Sequence, residues 1–407
     1  MVEIKNPLYD TACLSTQALH ADAHLQVTSD VAPAISVSTT FEYAKTTVDA
    51  CNYGPDQRYA YSRESTPTTT KAESVLSTIT EGHAVLYGSG LTASLAVLLQ
   101  YKPKKIALGE SYFGVRKVIE QYRALVPNVQ VVGSECSYDG VDLVWLESPV
   151  NPTGEVKDIA AYALRAHAAG AVLVVDATLA PPPISYPFRQ GADVVVHSAT
   201  KYLGGHSDLL AGVVVVRAAT GAVALRETRY VLGLGTGSLE TWLLLRSLRT
   251  LSVRVKQQSA TATRLVSFLE SIRRSAIATQ CHKPCEEQLS LGRHIASVQH
   301  ASLQINGAQC NPNIALQHPN GFGAVFAVSF ASKCQALFVA RALGLHRFAT
   351  SLGGVESLVD WRYGWDSSAQ PTLLRISVGL ESFDDLAKDW KQALQALEVS
   401  ERKAAKL

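Results

Sequence analysis

Three short stretches of this chain, Leu143-Val-Trp-Leu146, Ala171-Val-Leu-Val-Val175 and Val194-Val-Val196, are apolar at every position. A strand that faces water on one side alternates in polarity, whereas a strand covered on both faces does not. Runs of this kind, interleaved with helical patterns such as 91–100 and 158–169, predict a mainly parallel sheet held between helix layers. Each run also ends in polar chemistry. Leu146 leads into Glu147, Val175 into Asp176, and Val196 into His197-Ser198-Ala199-Thr200-Lys201. The carboxyl ends of strands in an open parallel sheet form its ligand crevice, so an acid and a lysine are expected to meet there.

With 407 residues, 47% of them apolar, the chain exceeds what one core usually holds, and two packed domains are expected. Residues 1–60 are rich in Thr, Ser and Pro with little periodicity and read as an extended arm. Residues 61–255 carry the alternating sheet and helix pattern. Residues 256–407 change character: a long amphipathic helix runs through 274, followed by an alternating strand at Phe322–Phe330 and another at Leu373–Val378, which reads as a smaller α+β domain. Lys plus Arg number 37 and Asp plus Glu 35, a balance that favours neither nucleic acid nor an anionic membrane as partner and leaves a small molecule as the default. The N-terminus has no basic start followed by an apolar stretch, and no segment stays apolar long enough to span a bilayer, so a cytoplasmic protein is expected. The seven cysteines are odd in number and scattered, which suits reduced thiols. Cys281, His282, Cys285 and His294 fit no common zinc spacing, and no metal is expected.

A lysine and an acid at strand ends suit pyridoxal 5'-phosphate. The amine forms the Schiff base, and the acid supports the protonated pyridine nitrogen that draws electrons from the substrate carbon. Alone, Asp176 would read as a turn acid and Lys201 as a solvated loop lysine. Ser198 and Thr200 beside the lysine, and a glycine turn at the helix start in Gly88-Ser-Gly90-Leu91-Thr-Ala-Ser94, supply hydroxyls and backbone N–H groups suited to a phosphate.

His197-Ser-Ala-Thr-Lys-Tyr-Leu-Gly-Gly-His-Ser-Asp208 resembles the cofactor-lysine signature of the pyridoxal-phosphate enzymes of cysteine and methionine metabolism, the cystathionine γ-synthase, cystathionine γ-lyase and methionine γ-lyase group. Thr16–His20, Ser38–Phe41, Tyr59–Arg63, Glu147–Thr153, Arg246–Leu251 and Ser351–Leu358 resemble the family's other blocks in order, over nearly the whole chain. The resemblance implies an α/β fold of the aspartate-aminotransferase-like type (fold type I), with a mainly parallel large-domain sheet and a smaller α+β C-terminal domain. It implies a homo-oligomer, a tetramer built as a dimer of dimers with shared active sites. Position by position, Lys201 would be the Schiff-base and proton-shuttling lysine, Asp176 the pyridinium partner, and Ser198 and Thr200 phosphate ligands. Gly90 and Leu91 would offer backbone N–H groups to the phosphate. Tyr112, grouped with Lys201 in the catalytic pair, would stack on the cofactor ring, and Tyr61 and Arg63 would reach the phosphate of a neighbouring subunit. Arg375, a strand arginine among apolar residues that needs an anion beside it, would clamp the substrate α-carboxylate in preference to a structural ion pair, with Asn151, Thr350 and Ser351 lining the same pocket.

Five positions depart from the family pattern. Thr66-Pro67 replaces the common Asn-Pro, Ala177 the Asn of Asp-Asn-Thr, and Val115 a Thr near the cofactor. The other two lie where substrate is chosen: Thr350 stands where the group usually carries a glutamate, and Asp360-Trp-Arg-Tyr-Gly-Trp-Asp366 replaces a Met-Thr-His segment. Trp361 and Trp365 read equally well as substrate-facing residues or as packing residues four apart on a helix. The resulting expectation is γ-replacement on an O-acylated homoserine, through a vinylglycine ketimine, with an altered acceptor pocket. The alternative is cystathionine or methionine γ-lyase-like (or β-lyase) elimination giving a 2-oxo acid and ammonia. Retention of Lys201, Asp176, Tyr112 and Arg375 together argues against a catalytically silent cofactor-binding protein.

Overall fold

The computed structural model describes residues 12–26, 28–43, 59–277, 291–305 and 311–404. The chain divides into two compact units. One comprises Met1–Leu146, Ile159–Thr178 and Tyr186–Ser252, the other Glu147–Asp158, Leu179–Ser185 and Val253–Leu407. Two short segments, Glu147–Asp158 and Leu179–Ser185, thus belong to the second unit although the first surrounds them in sequence. Much of the arm expected over 1–60, including 1–11 and 44–58, lies outside the described residues.

The first unit is organised by a seven-stranded sheet. Its strands are β1 His83–Tyr87, β2 Lys105–Leu108, β3 Gln130–Gly133, β4 Leu143–Glu147, β5 Val172–Asp176, β6 Val194–Ser198 and β7 Gly212–Val216, in the order β1-β7-β6-β5-β4-β2-β3. The pairs β2–β3, β2–β4 and β5–β6 are parallel, and β7 runs antiparallel to both of its neighbours. The apolar runs read from the sequence are β4, β5 and β6, and their apolar residues are buried apart from half-buried Val172. Helices Gly90–Tyr101 and Ile159–Ala168 fall where the 3.6-residue pattern placed them. In β5–β6 Asp176 lies opposite Val196, so Asp176 and Ser198 emerge at the same edge of the sheet.

Deep in this unit Arg229 and Glu73 form a buried ion pair at 2.6 Å, with Arg226 on the other carboxylate oxygen at 3.0 Å. Arg229 also donates to the carbonyl of Glu64 at 2.8 Å. The segment carrying Tyr61 and Arg63 is therefore anchored at its C-terminal end to the helix Ala219–Leu232.

The long helix spans Leu251–Ile277, beginning earlier than the sequence pattern alone indicated, and belongs to the second unit from Val253 onward. A five-stranded sheet has the order β10-β11-β12-β9-β8, with β8 Ile295–Gln299, β9 Val325–Phe330, β10 Arg347–Phe348, β11 Leu358–Asp360 and β12 Leu373–Ser377. Two expectations are corrected here. The strand expected over Phe322–Phe330 starts at Val325, and all six of its residues are buried. Its alternation is between large and small side chains, Val-Phe-Ala-Val-Ser-Phe, as a strand flanked by β8 and β12 can accommodate. Trp361 and Trp365 do not sit on an α-helix: they bracket the short 3-10 turn Arg362–Gly364, and Trp365 is 70% exposed. Among the described residues no helix is long and apolar enough to cross a membrane. Cys281, His282 and Cys285 lie outside the described residues, and His294 is held by Glu398 at 3.0 Å.

Candidate active site

In the first unit, contacts run from Asp176 to the glycine turn. Asp176, at the end of β5, is 9% exposed. Its Oδ1 accepts the Thr178 hydroxyl at 2.6 Å and the Thr178 backbone N–H at 3.0 Å. Burial pushes the carboxyl above the usual range, and the two Thr178 hydrogen bonds act against that rise. The Thr178 hydroxyl in turn accepts the backbone N–H of Ser198 at 2.8 Å. One hydroxyl therefore ties the acid of β5 to the end of β6.

Ser198 lies directly against Gly90. A Cβ built on Gly90 would stand 2.9 Å from Ser198 Cβ and 3.2 Å from its Cα, so only glycine lets the start of the helix Gly90–Tyr101 come this close. Ser89 caps that helix by accepting the Thr92 N–H at 3.0 Å. The first-turn N–H groups of Gly90 and Leu91 carry the positive end of the helix dipole. Gly114 does the same service for the next pair: a Cβ there would meet the Tyr112 ring at 2.6 Å and the Leu91 side chain at 2.9 Å. Tyr112 precedes the helix Phe113–Leu125, half-buried, with its ring edge-on to Phe113 at 4.6 Å.

After Ser198 the chain turns back on itself. Lys201 N–H donates to the Ser198 carbonyl at 3.1 Å and Gly204 N–H to the Ala199 carbonyl at 2.8 Å. Thr200 pairs with Ala211 through both backbone and hydroxyl, at 3.2–3.3 Å. This turn fixes the base of the half-buried Lys201 side chain one residue beyond Thr200. His197 is fully buried, and burial lowers its imidazole to about 4. It is a buried packing residue.

Tyr61 and Arg63 form a separate cluster in the same unit. The Arg63 guanidinium stacks over Tyr61 at 5.2 Å and over Tyr230 at 4.8 Å. Tyr61 is 45% exposed.

In the second unit Arg375 is the centre of another group. It lies on β12, and its side chain donates to Asn151 Oδ1 at 3.2 Å and to the Ser351 carbonyl at 2.7 Å. Ser351 has φ of 77°, a left-handed conformation that an ordinary residue holds only at a cost, and its carbonyl is the one that meets Arg375. Asn151 is positioned by its own N–H, which donates to Glu147 at 2.8 Å. Thr350 is exposed next to Ser351. Arg375 also makes a buried ion pair with Asp360 at 2.8 Å. Thr178 was not among the residues singled out from sequence, and Asp360 was named only as the first residue of the departing segment 360–366. Thr178 stands two residues after Asp176, the spacing of an Asx-type turn, and that local signal could have found it. Asp360 needs the β11–β12 register to be seen.

The residues of the first unit fit pyridoxal phosphate on their own chemistry. There is a buried acid at one end, a hydroxyl and helix-start N–H groups pressed together by Gly90 at the other, an aromatic ring beside them, and a lysine on the adjoining turn. The family "Cys/Met metabolism PLP-dependent enzyme" matches residues 15–395. Cystathionine gamma-lyase of Saccharomyces cerevisiae is 31% identical, over 95% of this chain and 98% of that protein. The crystal structure of metB from Corynebacterium glutamicum superposes with a TM-score of 0.83 at 28% identity, over 96% of this chain and 99% of that one. A cystathionine gamma synthase structure from Xanthomonas oryzae gives 0.80 at 25% identity, over 95% and 99%. With its fold type I architecture, this chain belongs to the pyridoxal-phosphate-dependent enzymes of cysteine and methionine metabolism.

Proposed function

We propose that this enzyme catalyses γ-replacement on an O-acylated homoserine, using pyridoxal phosphate held in the first unit. When bound, the cofactor supplies an electron sink that stabilises negative charge at the substrate Cα. Asp176 would keep the pyridine nitrogen protonated. Ser198, Thr200 and the N–H groups of Gly90 and Leu91 would hold the phosphate, and Tyr112 would stack beside the ring. Lys201 would hold the cofactor through its amine and would be the base that takes the Cα proton and moves protons at Cβ. Arg375, oriented by Asn151 and the Ser351 carbonyl, receives the α-carboxylate. Tyr61 and Arg63 serve a neighbouring copy's phosphate in a tetramer built as a dimer of dimers, and we place the enzyme in the cytoplasm.

The observation that supports the replacement reading is a pair of departures from the family pattern in the second unit. An exposed, uncharged Thr350 stands where the group usually has a glutamate, and the turn Arg362–Gly364 presents exposed Trp365. A missing carboxylate and added aromatic residues suit an acceptor other than a zwitterionic thiol amino acid. Elimination is the second reading, and the likeness to a yeast enzyme named cystathionine gamma-lyase favours it.

The test is incubation of purified holoenzyme with O-acetyl-, O-succinyl- and O-phospho-homoserine, cystathionine and methionine, each with and without a panel of thiol and carbon nucleophiles. Mass-detected adducts support replacement. A 2-oxo acid and ammonia without adducts would overturn it in favour of elimination.

A further inference from the structure

Arg375 does not wait for a substrate carboxylate with its charge unanswered. Asp360 and Arg375 are direct cross-strand partners in the antiparallel pair β11–β12, so their side chains leave the sheet on the same face. Asp360 Oδ2 lies 2.8 Å from Arg375 Nη2, and each side chain is only 3% exposed. The same oxygen lies 3.4 Å from Nη1 of Arg362, itself 9% exposed. One carboxylate oxygen is therefore shared between two buried guanidinium groups. Asp360 opens the segment 360–366 that departs from the family pattern.

We propose that Asp360 is a specificity-determining residue that acts through Arg375, as a resident carboxylate that sets how strongly this arginine favours a free α-carboxylate over a neutral group in the same place. The inference rests on the reading of Arg375 as the α-carboxylate site. A carboxylate arriving at Arg375 meets the attraction of the guanidinium and the repulsion of Asp360 together, because two carboxylates on one cation oppose each other's charge. A neutral amide meets neither in full. Asp360 thus lowers the preference for a carboxylate without removing the hydrogen-bonding arginine. Arg362 offers the displaced carboxylate oxygen a second cation, so Asp360 can lean away while Arg375 engages its ligand.

The experiment titrates holoenzyme with L-alanine and with L-alaninamide, following the change in the cofactor's visible absorbance, and takes the ratio of the two dissociation constants. The ratio is independent of the fraction of protein that is folded, so a stability loss does not move it. Asp360→Asn keeps the shape and removes the charge, and is expected to shift the ratio about tenfold towards L-alanine, the size of effect one neighbouring like charge has on a carboxylate equilibrium. If that variant does not fold, the charge-balanced pair Asp360→Asn with Arg362→Gln is expected to shift the ratio in the same direction. A ratio unchanged, or shifted towards the amide, in the folded variant overturns the role of Asp360. Arg375→Gln tests the underlying reading separately. It is expected to erase the preference for L-alanine, and an Arg375→Gln ratio equal to that of the wild type would overturn the carboxylate assignment itself.

Discussion

Replacing Thr178 with Val probes the link between Asp176 and Ser198 with almost no change of shape. The hydroxyl donates to Asp176 at 2.6 Å and accepts from the Ser198 N–H at 2.8 Å. Valine forfeits a hydrogen bond to a charged group, about 1.5–3 kcal/mol, and leaves the part-buried Ser198 N–H without its acceptor, about 1 kcal/mol more. The Thr178 backbone N–H still reaches Asp176 at 3.0 Å, so the carboxylate keeps one of its two bonds. With Asp176 in its proposed role as pyridinium partner, the first loss corresponds to roughly a ten- to hundredfold drop in kcat/KM. The direction with pH follows from the charge. Burial already raises Asp176, and the hydroxyl works against that rise. Its removal lets Asp176 protonate at higher pH, and a neutral Asp176 no longer supports a protonated pyridine nitrogen. The acid limb of the pH–rate profile therefore moves to higher pH in Thr178→Val and returns in Thr178→Ser. The assay is steady-state turnover of one donor across pH, with the cofactor absorbance followed in parallel. An unshifted acid limb with near-wild-type kcat/KM would show that Asp176 does not depend on Thr178.

Lys201→Ala should abolish the visible cofactor band that borohydride reduces, and survival of that band would refute the lysine assignment. Gly90→Ala should weaken cofactor retention on dialysis, because the new methyl stands 2.9 Å from Ser198 Cβ. The clash costs on the order of 1–3 kcal/mol against about 1 kcal/mol gained in helix propensity. His197, His300 and His318 are buried and neutral, each lowered from 6.5 to about 4 by burial. The folded state thus binds fewer protons than the unfolded one in that window. Their contribution to stability is present above 6.5 and is lost as pH falls towards 4, which thermal unfolding across that range would show.

The large sheet was legible because its strands are covered on both faces and so leave uninterrupted apolar runs, and because a parallel sheet delivers its polar strand ends to one edge. That rule put Asp176 and Ser198 at strand ends, with Lys201 just beyond, before any resemblance was used, and the structure has them there. What escaped depends on register or on close approach. Asp360 and Arg375 lie on different strands and meet because β11 and β12 pair at that register. The fit of Gly90 to Ser198 is a contact between backbone and Cβ that no periodicity encodes. The Trp361–Trp365 spacing misled for a related reason. Four residues apart is one helical turn, but Gly364 and the short 3-10 turn hold the indoles outside an α-helix, where Trp361 donates its N–H to the Pro371 carbonyl at 2.8 Å.

Whether the site is completed by a second copy of the chain follows from Tyr61 and Arg63. Both are placed by the Arg229 bond to Glu64 and by the stack on Tyr230, and Tyr61 remains 45% exposed. A guanidinium held beside an exposed phenol is ready-made for a phosphate oxygen. If they serve the neighbour, Lys201→Ala and Arg63→Ala disable different parts of the same shared site. Each variant alone is then inactive or nearly so. Co-refolded in equal amounts, half of the dimers are mixed, and each mixed dimer has one site with both residues intact, so about a quarter of all sites recover. Turnover of the mixture near that fraction of wild type, with no recovery when the proteins are combined without refolding, is the expected result. Recovery absent after refolding, with mixed dimers demonstrated by mass, would place Arg63 in its own chain's site and make a single chain sufficient for the chemistry.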